Sequence, residues 1–473
     1  MKPSIFFRQC LSIFALFSLI KTTPLFGKFL SQYSKQDPYP MYSTENTHGF
    51  LYTIKRLDAK GLDTFDKKPE KFGLSLSPFG QNANSAKNSY SSELTSPANI
   101  GGYWNMIGLT LGDTPNGKTL SPLLKEAKNA LENSSSFPPE EVDWLDPNQL
   151  CGFLNVNAEF KNRGFRFNWA LQIYEDLGVL IEGGVSSMKY APTSYVDLTC
   201  NANGRMCACP VVESVTPDPA CTMCDTCTVK QFLTCRREAI AREIGLDLSE
   251  YSRTSFQDLR AHLYWRHAYE MNYDKRTWPE FLLMPFAVFS GSAATAAPSK
   301  ASQFFSRSAG NNGHNSIGFT GGISVDFIET IEIAAEGGFA HFFARNIDDY
   351  RVPNSTSQTS IFPFSTSVNV SPGHNWHFAA TLNSNHFIDR LSFYFQYIIV
   401  EHQKDKITLK SSDPAFKPNT LEKISDWRFQ AANIAFNYDI SPSISLGFLW
   451  QAPLQQKNVF RNTTLLFSFN AYY

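Results

Sequence analysis

The stretch from Thr463 to Tyr473 reads TTLLFSFNAYY. Leu465, Phe467, Phe469, Ala471 and Tyr473 are apolar at every second position. Thr464, Ser468 and Asn470 between them are polar, while Leu466 and Tyr472 are not. A period of two belongs to a β-strand whose faces meet different surroundings. In water an edge strand this long and this aromatic is an aggregation hazard. The hazard disappears when the strand closes a barrel and turns its apolar face to lipid.

The same period recurs upstream from Cys151. Candidate strands run over 154–160, 165–173, 177–185, 259–271, 281–289, 317–327, 331–343, 376–382, 391–401, 427–438 and 444–450, followed by the terminal strand. In 427–438 the apolar phase slips near Ala431 and Ala432, which a β-bulge would explain. Counting back from a last strand that descends to the periplasm, the inner turns are short (174–176, 272–280, 328–330, 383–390, 439–443). The outer loops are long (186–258, 290–316, 344–375, 402–426, 451–462), with one short outer connection at 161–164. That asymmetry is a property of outer-membrane barrels. The expectation is an all-β protein, an antiparallel transmembrane β-barrel of about twelve strands.

Residues 1–27 read as a signal peptide. Lys2 and Arg8 precede an apolar run from Cys10 to Ile20, too short to span a bilayer comfortably. Residues 28–150 form a mixed segment. It is either a small periplasmic domain or a source of further strands, which would raise the count to about 14–16. Phe72, Leu74 and Leu76 alternate in it, and Leu120 to Leu131 reads as a helix with Ser121 as N-cap and Pro122 in the first turn. Residues 151–473 are assigned to the barrel, with 189–257 as a cysteine-rich outer loop.

Phenylalanine stands out, with 40 residues against 19 Tyr and 8 Trp, yet hydrophobic residues make up only 42%. A barrel reconciles the two, because only alternate residues touch lipid. A net charge of −1 gives no support to nucleic-acid binding.

Eight cysteines follow the leader: Cys151, then Cys200, Cys207, Cys209, Cys221, Cys224, Cys227 and Cys235 crowded in the outer loop. Outside the cytoplasm such thiols oxidise, so disulfides are favoured over a metal cluster or a redox motif. No metal site and no cofactor is assigned.

The aromatic terminal strand resembles those of bacterial outer-membrane β-barrel proteins. That resemblance implies recognition by the barrel assembly machinery through Phe467, Phe469 and Tyr473. With the cysteine cluster, the chain looks like the porin-type proteins of chlamydia-like bacteria. This implies an outer-membrane protein embedded in lipid, disulfide-linked to other cysteine-rich envelope proteins or to copies of itself.

The strand phases turn Glu159, Arg166, Glu182, Arg260, His262, Arg266, Asp326, Glu332 and Glu336 away from lipid. Charges facing a water-filled lumen set solute preference. The expected function is passive diffusion of small hydrophilic solutes. The alternative is a structural or adhesive surface protein cross-linked through its cysteines. No G-x-S-x-G elbow or H-E-x-x-H motif occurs, so no catalytic residue is assigned and no enzyme is expected.

Overall fold

The computed structural model describes residues 72–88, 94–132, 152–174, 176–198, 233–271, 281–327, 331–388, 390–441 and 443–472. Twelve antiparallel strands close into a barrel. They are β1 Phe72–Ala83, β2 Phe153–Tyr174, β3 Leu177–Asp197, β4 Leu259–Arg266, β5 Phe281–Ala293, β6 Ser316–Phe327, β7 Ile331–Phe342, β8 Asn375–Ile388, β9 Leu391–His402, β10 Trp427–Ser441, β11 Ile444–Lys457 and β12 Thr463–Tyr472. Tyr251–Phe256 continues β4 along β3, and Tyr269–Met271 continues it along β5. Each strand pairs with its neighbour in the chain, and β12 returns to β1 with Gly73 opposite Tyr472 and Asn82 opposite Thr463. Closure leaves the terminal strand no free edge.

Twelve strands are found, but not the twelve read from the sequence. Residues 154–173 are one continuous strand, β2, with no connection at 161–164. The missing strand is β1, from the segment 28–150. The rest of that segment's described residues, 84–88 and 94–132, lie between β1 and β2 at the long-loop end. Residues 189–197 and 251–256, assigned to the cysteine-rich loop, are strand. The helix read at 120–131 is α1, Pro122–Glu132, and Ser121 Oγ accepts from Leu124 N at 3.4 Å as its cap. No helix among the described residues is long and apolar enough to cross a membrane, which says nothing about a barrel.

The alternation sorts side chains into two environments. Facing out is a belt of exposed large apolar residues that includes Phe167, Leu263, Trp265, Phe289, Phe319, Ile333, Phe378, Phe436, Leu446, Leu465, Phe467 and Phe469. Such a continuous belt far exceeds what a soluble surface leaves open. Facing in are Ser75, Ser77, Asn168, Ser290, Ser324, Asn383, Asn437, Ser445 and Asn470, all buried. Ala471 departs from the pattern, since it is buried and not exposed with its odd-numbered neighbours.

Toward the long-loop end this polarity inverts. On β2 the even-numbered residues face inward along the whole strand: Asn168, Arg166 and Asn162 first, then Phe160, Ala158, Val156 and Leu154. Asn155, Asn157, Glu159 and Lys161 then face outward, with Glu159 and Lys161 paired at 2.8 Å. Glu159 therefore does not face the lumen as its sequence phase suggested. Apolar residues there mark a core, not a lipid face. The phase slip in β10 has the same origin. Trp427, Phe429, Ala431, Asn433, Ala435 and Asn437 all face inward without a break, and only the apolar face changes. The bulge beside Ala431 lies on β11, where Leu454 is skipped in the pairing.

The inverted section is covered by a cap. Trp104 is wholly buried and lies 4.3 Å from the ring of Phe304, while Tyr190 meets Phe305 at 5.0 Å and Phe460 at 5.8 Å. In α2, Arg237–Glu243, Ile240 and Ala241 join the same core as Leu124 and Ala127 of α1. Glu243 Oε2 accepts from Leu123 N at 3.1 Å and ties the two helices. α2 ends where Gly245, at φ +70°, takes the left-handed position that closes a helix. Arg351, at the end of a three-stranded sheet (Arg345–Arg351, Ser365–Ser371, Lys406–Leu409), donates to four backbone carbonyls: Ala301, Phe362, Ile244 and Gly245, at 2.8–3.0 Å. One guanidinium thus fastens three segments of the cap.

His314, just before β6, donates from Nδ1 to the Phe343 carbonyl at 2.9 Å. Burial holds its pKa below the ordinary histidine value, reinforced by Arg345 and opposed by the Phe343 carbonyl, Asp405 and Asp258. A base with a lowered folded pKa binds fewer protons than the unfolded chain. Its contribution is complete above the unfolded value near 6.5 and is lost as pH falls. Limited proteolysis of the cap should therefore speed up several-fold between pH 7.5 and pH 5. His314→Gln should flatten that dependence. An unchanged pH profile in the variant would assign it to another group.

Candidate functional site

The site is the lumen, and its two halves differ. One half carries charge. Arg166 of β2, Glu182 of β3, Arg260 and His262 of β4, Asp326 of β6 and Glu336 of β7 are buried on the inward face. Arg266 and Glu332 are 11% and 12% exposed. All eight sequence-assigned lining residues therefore point into the barrel. They do so because each strand keeps its period of two through the section with the apolar belt.

Their partners show how they are held. His262 Nε2 lies 3.3 Å from Glu182 Oε2, and its Nδ1 lies 2.8 Å from Ser290 Oγ. Arg166 donates from Nε to Gln257 Oε1 at 3.1 Å, with its guanidinium 4.3 Å over the Phe79 ring. Arg266 Nη2 reaches Glu332 Oε1 at 3.6 Å, passing β5 and β6 to bridge β4 and β7. Asn383 Nδ2 donates to the other oxygen of Glu332 at 3.3 Å. Thr320 Oγ1 and His377 Nε2 approach to 3.2 Å across β7. Gly338 makes the room, since a Cβ there would meet the Phe319 carbonyl at 2.3 Å and His377 at 2.5 Å.

The other half carries amides. Asn162, Gln81, Thr464, Gln451, Asn433, Gln396 and Thr381 stand directly opposite one another along seven consecutive strands, from β2 through β1 and β12 to β8. They form one chain of hydrogen bonds: Asn162 to Gln81 at 3.0 Å, Gln81 to Thr464 at 3.3 Å, Thr464 to Gln451 at 3.3 Å, Gln451 to Asn433 at 3.2 Å and Asn433 to Gln396 at 3.0 Å. Gln396 Nε2 then donates to Glu336 Oε1 at 3.3 Å. Every donor points the same way. Acceptance at Glu336 fixes that direction, because an amide that offers its N–H₂ to one neighbour has its oxygen left to accept from the other. Aligned bonds of this kind polarise and strengthen one another.

Sequence reading missed this row. Each member occupies an ordinary inward position of an alternating strand, so the signal was present. Register between strands far apart in the chain is what joins them.

Of the disulfide assignments, Cys151, Cys200, Cys207, Cys209, Cys221, Cys224 and Cys227 lie outside the described residues, while Cys235 is half-buried just before α2. Phe467 and Phe469 face outward from β12, and Tyr473 lies outside the described residues. No group of three or more His, Cys, Asp or Glu among the described residues could hold a metal.

A closed meander barrel with an apolar outside, an inside rich in polar and charged side chains and one set of long loops defines the class by its own residues. No protein-family model matches the chain, and no curated protein matches it. Among solved structures it is similar to an outer-membrane channel from Pseudomonas putida F1, at 8% identity and TM-score 0.42 over 87% of this chain and 99% of that one. It is similar to the translocator domain of the autotransporter NalP from Neisseria meningitidis, at 9% identity and TM-score 0.35 over 92% and 99%. A Pseudomonas aeruginosa FadL homologue overlaps 94% of this chain and 99% of its own, at 10% identity and TM-score 0.28. With TM-scores below 0.5, these likenesses define neither a channel nor a cargo here.

Proposed function

We propose that this protein is an outer-membrane channel through which small hydrophilic solutes pass, and that its cap closes the long-loop end. The single observation that carries this reading is the alternation across the belt, with large apolar side chains outside and, inside, hydroxyl, amide and charged side chains beside an apolar patch of Phe79, Leu466, Leu449, Ala435 and Tyr394. A barrel core without a solute path needs no such lining, since apolar side chains pack more favourably than buried polar groups. The amide row and the apolar cap residues beyond it are buried, whereas Arg266 and Glu332 keep some exposure near the short-turn end. The lumen then opens toward the short turns, and displacement of the cap admits solute from the other side.

Planar-bilayer recording of the mature refolded protein tests this. Discrete conductance steps support the channel, and an inserted barrel that never conducts removes it. Selectivity gives a second reading. The lining sets Arg166, Arg260 and Arg266 against Glu182, Asp326, Glu332 and Glu336, with His262 beside Glu182. Arg266→Ala leaves Glu332 without its cation, so the reversal potential should move toward cations by a several-fold change in permeability ratio. An unchanged ratio would show that solute does not pass this bridge. The alternative of a cross-linked surface protein rests on the cysteine cluster and predicts reductant-sensitive oligomers without conductance.

A further inference from the structure

Beside the amide row runs a second row, on five of the same strands and one inward step nearer the short turns. Phe79, Leu466, Leu449, Ala435 and Tyr394 stand opposite one another from β1 through β12, β11 and β10 to β9, and they pack as one apolar cluster. The inner wall therefore carries a hydrogen-bonding stripe and an apolar stripe in parallel. Rows of register partners run perpendicular to tilted strands, so both climb the wall obliquely, the amide row over roughly 20 Å and the apolar row over roughly 12 Å for strands tilted about 40° and spaced about 4.8 Å apart.

Resting on the channel reading above, we propose that this double stripe binds uncharged carbohydrate. A sugar ring offers an apolar C–H face and an edge of hydroxyls that both donate and accept. Phe79, whose ring already carries the Arg166 guanidinium, and Tyr394 bring aromatic carbon to the two ends of the stripe for the face, and the carboxamides supply matched donors and acceptors for the edge. A cationic solute would have no counter-charge along the stripe before Glu336, and an anionic one would meet only Arg166, at the Phe79 end. A purely apolar one would leave the amides unpaired, at a cost for each buried group.

A separate observation marks where the ligand enters the row. Asn162 heads the chain of donors, is 7% exposed, and its Oδ1 has no hydrogen-bond partner. On the adjacent strand the fully buried Ser186 Oγ also lacks one, near Asn162 because Ser186 pairs with Gly164 and Met188 with Asn162. Two buried polar atoms without partners at the head of an ordered chain are places for ligand hydroxyls. The one-way chain lets each incoming hydroxyl replace a neighbour's bond in kind, so the solute exchanges contacts as it advances.

The test is titration of the refolded full chain in phospholipid vesicles with maltotriose, by calorimetry, alongside bilayer recording of the same preparation. Triethylene glycol serves as an uncharged probe without rings, and glutamate as a charged one. Maltotriose should bind and interrupt the current, while the other two should do neither. Thr464→Val keeps the volume and breaks the chain of donors, and Asn162→Leu removes its head. Each should weaken maltotriose binding about tenfold, the worth of one good hydrogen bond. Thr464→Val provides the reading if Asn162→Leu does not refold. Absence of maltotriose binding, or equal binding by wild type and Thr464→Val, overturns the proposal and leaves the row as a brace of the wall. Conductance without maltotriose binding keeps the channel and removes the sugar site. Binding without conductance does the reverse.

Discussion

Phe467→Lys is expected to destabilise the barrel in a bilayer by roughly 4–7 kcal/mol. About 2–4 kcal/mol comes from placing an ammonium at mid-membrane depth, and about 2–3 kcal/mol from the lost apolar side chain. Phe467 is 57% exposed on the outward face of β12, between Leu465 and Phe469, so nothing in the protein compensates the charge. The sign of the effect is what makes the substitution informative. On a water-facing surface the same change would be neutral or would improve solubility. Urea unfolding of wild type and variant refolded in phospholipid vesicles measures the difference. Ser187→Lys is the control, because Ser187 faces outward on β3 beside Lys189, which pairs with Glu250 at 2.9 Å in the inverted section. It should change stability little. Equal stability of wild type and Phe467→Lys would mean that the belt does not meet lipid.

Arg351→Met should release the cap while leaving the barrel folded. The substitution removes every donor to Ala301, Phe362, Ile244 and Gly245 and leaves those carbonyls in a dry interior, at about 1–3 kcal/mol for each that water cannot reach. Burial brings the Arg351 pKa down to about 10 against the pull of Asp349, so the group is still a cation at neutral pH. The barrel's own strand pairs are not touched. Limited proteolysis should cut the cap at least tenfold faster, with the barrel's unfolding transition nearly unchanged. Bilayer recordings should show longer or larger openings. Wild-type proteolysis would show that the aromatic packing of Trp104, Tyr190 and Phe305 holds the cap without this tether.

Both predictions draw on features that the sequence displays in different degrees. The lipid-facing set was largely legible. Phe467 and Phe469, Phe165 and Phe167, and Ile331 and Ile333 sit in strands whose period of two is plain in the letters, and period is a local property of the backbone. The same period puts Arg166, Glu182, His262 and Glu332 on the inward face. Arg351 was not legible, because its four partners come from segments separated by up to about a hundred residues of chain.

What the sequence determined by itself was therefore the architecture: an all-β chain, short turns at one end, long loops at the other, and an inside distinct from an outside. Tertiary structure decided which strands make up the twelve. It joined 154–160 to 165–173 and took β1 from a segment that also fits a separate domain. It also decided what an apolar face means. Phe160 and Phe167 look alike in sequence, yet one is buried under the cap and the other faces outward from the belt. Alternation tells that two faces differ, but it does not tell which medium wets each. That depends on the depth of a residue in the barrel and on what the long loops fold over. The amide row belongs to the same class of facts, since Gln81 and Thr464 are brought side by side only by the closing of the barrel.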